Sequence, residues 1–135
     1  MEVTQIVSNG FVSVSVDLVR QVVRVTRSSE RGSIVQITRA FADAVAALDG
    51  IGRARLGLLV DLRAAPGRND PDFENAMAKQ RVELLRGFAA LAILVQTATG
   101  QLQVSRIGRE DGMDVAIFTD EFAALAWLEG ARASG

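Results

Sequence analysis

The sequence predicts an α/β fold built on a mixed sheet of four or five strands. An N-terminal antiparallel hairpin leads into parallel strand–helix units, with helices packed mainly on one face. Three observations carry this. Val12, Val14 and Val16 alternate with Ser13 and Ser15, the period of a half-buried strand. Leu56–Leu62 (LGLLVDL) is short and nearly continuously apolar, as a central strand covered on both faces is. Between and after these segments, apolar residues recur at three and four, the period of helices.

The elements follow in order. Phe11–Asp17 is a strand, Asp17 begins a turn, and Val22–Thr26 (VVRVT) returns antiparallel to it. Val3–Val7 can add an edge strand. Ser28–Gly32 is polar and breaks the pattern. Ile34, Ile37, Phe41, Val45 and Leu48 form one helical stripe, with Ser33 placed to cap its start and Gly50 to follow its end as a C′ glycine. After LGLLVDL comes the loop DLRAAPGRND, Asp61–Asp70. Asp70 and Pro71 then open a helix to about Arg86, because an Asp cap accepts early amide bonds and Pro fits the first helical position. Its inner face takes Phe73, Met77, Leu84 and Phe88. Ala90–Thr97 is a second buried strand. Thr99 to about Arg109 reads as a helix, although Leu102 and Val104 also fit strand alternation. Val115–Phe118 is a last strand. Thr119 and Asp120 cap a final helix carrying Phe122, Leu125, Ala126 and Leu128, with Trp127 alongside.

Composition bounds the rest. At 135 residues and 49% apolar, one domain over 1–135 with a real core is expected. The chain holds no Cys, no His and no Tyr. Thiolate nucleophiles, disulfides, His-bearing zinc sites and Ser-His-Asp triads are therefore excluded. No nucleotide-binding glycine motif is present, so no cofactor is expected. A net charge of -1 argues against an electrostatic nucleic-acid binder. Lys79 is the sole lysine and reads as solvated. The N-terminus lacks the apolar core of a signal peptide, and Phe88–Val95, the longest apolar run, is too short to span a membrane. The expected compartment is the cytoplasm.

The candidate site is the loop after the central strand. Ligands of open α/β sheets gather at strand carboxyl ends, where helix amides point inward. Asp61, Arg63, Arg68, Asn69 and Asp70 are the residues placed there, with Arg63 and Arg68 able to clamp an anion. The same segment also reads as ordinary turn and cap chemistry, with the arginines paired to Asp61 or Asp72. Glu110, Asp111 and Asp114 read as a solvated loop rather than a metal site, and no metal is expected.

The hairpin, LGLLVDLRAAPGRNDPDFENAM, LAILVQT and VAIFTDEFAALAWL together resemble the SpoIIAA-like branch of the STAS (sulfate transporter and anti-sigma factor antagonist) fold, over about residues 11–129. The resemblance implies a bacterial, non-enzymatic module that binds partner proteins through its strand–loop–helix edge, with a homodimer allowed. A small lipid-like or anionic ligand is the alternative, since relatives look like small lipid-binding domains. Anti-sigma antagonists carry a phosphorylatable Ser in this loop. Asp61–Asp70 has neither Ser nor Thr, so that switch does not transfer.

Overall fold

The computed structural model describes residues 3–67, 71–112 and 115–134. Its sheet has six strands, β1 (Val3–Ser8), β2 (Val12–Asp17), β3 (Val22–Arg27), β4 (Gly57–Asp61), β5 (Ala90–Leu94) and β6 (Ala116–Phe118), and their order in space is their order in the chain. β1, β2 and β3 pair antiparallel; β3 through β6 pair parallel. Four helices accompany them: α1 (Ile34–Asp49), α2 (Pro71–Leu85), α3 (Ala98–Glu110) and α4 (Glu121–Ser134).

Six strands correct the expected four or five. The added one is β1, whose VTQIVS is largely exposed because it sits at the sheet edge. An edge strand needs no buried face, so its apolar pattern is weak even where its backbone ladder is real.

Each parallel connection steps one strand further in the same direction. Connections of one hand then put α1, α2 and α3 on one face. Their core gathers Val14, Val23, Val25, Leu58, Val60 and Ile93 of the sheet against Ile37, Phe41, Leu48, Met77 and Leu84. Among the described residues, the opposite face is covered by α4 alone, over a smaller, alanine-rich cluster: Val22, Leu59, Ala90, Ala92, Leu94, Ala124 and Leu128. This second cover is why β4 is buried along its whole length. α4 packs on β4, β5 and β6, so the same face of β2 and β3 stays polar, with Ser13, Ser15, Asp17, Arg24 and Thr26 partly exposed.

Local chemistry explains the boundaries. Ser33 and Gln36 form a reciprocal cap at α1: the Gln36 amide donates to Ser33 Oγ at 3.1 Å, and the Ser33 amide donates to Gln36 Oε1 at 2.9 Å. Gly50 is right-handed at φ -83°, so it is the C-cap itself and not a left-handed C′ residue; Gly52, at φ 69°, supplies the left-handed turn. β5 ends at Leu94, short of the expected Thr97, because Thr97 instead caps α3 by accepting from the Gly100 amide at 3.0 Å. That cap makes 98–110 a helix rather than alternating strand. The expected cap of α2, Asp70, lies outside the described residues. At the other end of α2, Arg53 donates to the carbonyls of Glu83, Leu84 and Arg86 at 2.7, 3.1 and 2.8 Å, satisfying acceptors that the helix end leaves open. Asp120 caps α4, accepting from the Ala123 amide at 3.0 Å. Phe122 then points outward and is 77% exposed, because Glu121, Ala124 and Leu128 take the inward row.

Candidate functional site

Asp61 is the last residue of β4, on the α4 side of the sheet and only 6% exposed. A buried carboxylate requires counter-charge and hydrogen bonds. Three neighbours supply them. Arg63, two residues on, folds back with Nε and Nη2 at 3.1 and 2.9 Å from the two Asp61 oxygens, and its amide donates to Oδ1 at 3.1 Å. Arg24 reaches across from β3, with Nη2 3.0 Å from Asp61 Oδ2. Glu121, the first residue of α4, receives Nη2 of Arg63 at 3.0 Å and Nη2 of Arg24 in a short contact.

The result is a closed ring of two guanidinium and two carboxylate groups, formally neutral. Each group tunes the others. Burial alone would raise the Asp61 carboxyl, but the Arg63 and Arg24 bonds outweigh it and hold it down to about 2. Glu121 is lowered chiefly by its bond from Arg24. Burial opposes the charge on Arg24, yet its bonds to Glu121 and Asp61 leave it raised; Arg63 is raised mainly by its bond to Asp61. All four therefore remain charged through the neutral range, and none is poised for proton transfer near neutrality.

Beside the ring lies an open hollow of about 460 Å³, lined by Arg63, Ala64, Gln96 and Thr119. These residues follow β4, β5 and β6, so the hollow spans the carboxyl ends of three adjacent strands. A second hollow of about 190 Å³ lies between Asn9, Phe11 and the first half of α1. Both open to the surface.

Of the residues expected at this site, Asp61 and Arg63 come together as predicted by charge, with Arg63 engaged by carboxylates rather than held free for an anion. Arg68, Asn69 and Asp70 lie outside the described residues. Arg24 and Glu121 complete the ring and were not anticipated. Arg24 reads in sequence as the polar side of a strand, and Glu121 as a residue favouring the helix dipole. The available signal was Asp61 itself: an acid ending an apolar strand must find a cation on the same sheet face, and Arg24 stands at that parity. The sequence strand order also advances in one direction only, so no reversal of order creates a crevice at this edge.

Elsewhere, Asp111 is bound by Arg81 at 3.0 and 3.3 Å and Glu110 by Arg106 at 3.0 Å, while Asp114 lies outside the described residues. Among the described residues no cluster of three acids or metal-binding side chains gathers, and no helix is long and apolar enough to cross a membrane. Comparison with protein-family models, with curated proteins and with solved structures finds no match to this chain.

Proposed function

We propose that the protein is a non-enzymatic regulatory module that binds a partner protein at the carboxyl edge of its parallel strands, in the manner of the SpoIIAA-like and STAS domains it resembles. The observation that carries this reading is Phe122. It is 77% exposed and follows Glu121 of the ion ring in the chain, so an aromatic side chain stands in water at the start of α4, one residue from an ordered polar cluster. Aromatic anchors bordered by ordered polar groups are what protein interfaces use. The absence of Cys and His, together with a ring whose members stay charged near neutrality, supports a binding role over a catalytic one.

The alternative is a small anion in the hollow beside Arg63, with Gln96 and Thr119 as further hydrogen-bonding groups. It is second because an anion would have to compete with Asp61 and Glu121 for Arg63. Crosslinking in cells, with recovery of the bound protein, separates the two. Phe122→Ser is expected to lower recovery of a specific partner at least about tenfold, equivalent to ~1.4 kcal/mol. Leu102→Ser, at a 73% exposed site on α3, is expected to leave recovery unchanged. Equal recovery with both variants would remove the proposal. Phosphate binding abolished by Arg63→Ala, Arg68→Ala would favour the alternative.

A further inference from the structure

The two edges of the sheet are unequal. β6 is three residues long and contacts both α3 and α4. β1 is six residues long, touches α1, pairs among the described residues only with β2, and has five of its six residues exposed. Val3 and Ile6 present apolar surface at 53% and 37% exposure. An open edge offers a row of backbone donors and acceptors to any strand, and proteins commonly blunt it with Lys, Pro or a covering element. VTQIVS contains no Pro and no charge, although 23% of the chain is charged. One blunting device is present, a bulge between Gln5 and Val7; it leaves Val3, Thr4 and Gln5 in regular register with Asp17, Val16 and Ser15.

We infer that β1 is a self-association edge: β1 of a second copy adds to it antiparallel, about a two-fold axis near Gln5, and joins two sheets into one. The occupant follows from the chemistry of the strand. A two-fold axis sets side chains near it against their own copies. A charged residue at position 5 would repel its mate, whereas the Gln5 amide carries both donor and acceptor and bonds to its own copy. Val3, Thr4, Ile6 and Val7 are β-branched, the side chains that pair best across strands. An extended peptide of another protein would form the same backbone bonds, but this edge has no charge with which to select one over a second copy.

Because the chain has no Cys, Gln5→Cys introduces a unique thiol. Mild oxidation at low protein concentration is expected to convert this variant to a disulfide-linked dimer, while Leu102→Cys on α3 stays monomeric. Sedimentation is expected to show a dimer for the natural sequence, weakened at least about tenfold (~1.4 kcal/mol) by Gln5→Lys, with an unchanged circular-dichroism spectrum. Phe122→Ser should not alter the dimer, so this test stands apart from the partner-binding one. A monomeric natural sequence overturns the inference. So does a dimer that Gln5→Lys fails to weaken, or Leu102→Cys crosslinking as fast as Gln5→Cys.

Discussion

The two faces of the sheet are held by different means. On one, α1 and α2 bury large aliphatic and aromatic side chains and α3 adds the partly buried Val104; on the other, α4 rests on a smaller cluster of alanines, leucines and Val22 and is pinned at its start by ions. Apolar burial scales with area, so the first face carries most of the stabilisation. An alanine-rich contact gives less, and the ring Arg24–Asp61–Arg63–Glu121 compensates by fixing where α4 begins. The difference teaches that this molecule uses packing for strength and charge for position.

The largest effects should come from the buried leucines. Leu48 on α1 and Leu128 on α4 are both 0% exposed, and Leu→Ala at such sites costs about 2–5 kcal/mol. Leu48→Ala is expected to lower the midpoint of global unfolding. Leu128→Ala is expected to show first as lost hydrogen-exchange protection in α4, with the three-helix face still protected. Uniform loss of protection in both variants would show that the two faces unfold as one.

The ion ring comes next. Asp61→Asn leaves two arginines sharing Glu121 and should cost about 1–2 kcal/mol at neutral pH, at the low end for a buried pair because Arg24 and Arg63 are 30% and 38% exposed. Asp61 is held at about 2 when folded, below the ~3.9 of an unfolded aspartate. Its contribution is therefore full above about pH 4 and is lost as the pH falls towards 2. Urea titrations of the natural chain and Asp61→Asn should converge over that window; curves that stay parallel would remove Asp61 from the account of acid sensitivity.

The smallest effect is local. Ser33→Ala removes half of the reciprocal cap on α1 and should cost about 1 kcal/mol, read as a shift in urea midpoint with unchanged slope. A loss as large as that of Leu48→Ala would mean that capping, rather than packing, secures the three-helix face.

How much of this was legible follows from what each residue meets. β2 showed its period because one face is buried and the other polar, and β4 showed its continuous apolar run because both faces are covered. α1 could be read to its capping serine, since cap and stripe are both local. β1 was faint because a neighbouring strand, not a core, defines it. The outward side of Phe122 was not legible for a related reason: the inward row of α4 is set by Ala124 and Leu128 packing on the sheet and by Glu121 meeting Arg24, a contact between residues 97 positions apart. Half the ring was visible in the Asp61–Arg63 spacing, and half depended on tertiary structure.

Because each strand lies beside its predecessor, every pairing joins successive strands, yet each parallel pair closes only across an intervening helix, the non-local pairing that is slow to form. A chain emerging from the ribosome can lay down β1 through β6 in turn, each new strand joining an existing edge. α4 emerges after all of them, and only then can Glu121 close the ring on Arg24. The ion cluster is thus a completion mark, formed when the last helix reaches back to one of the first strands made.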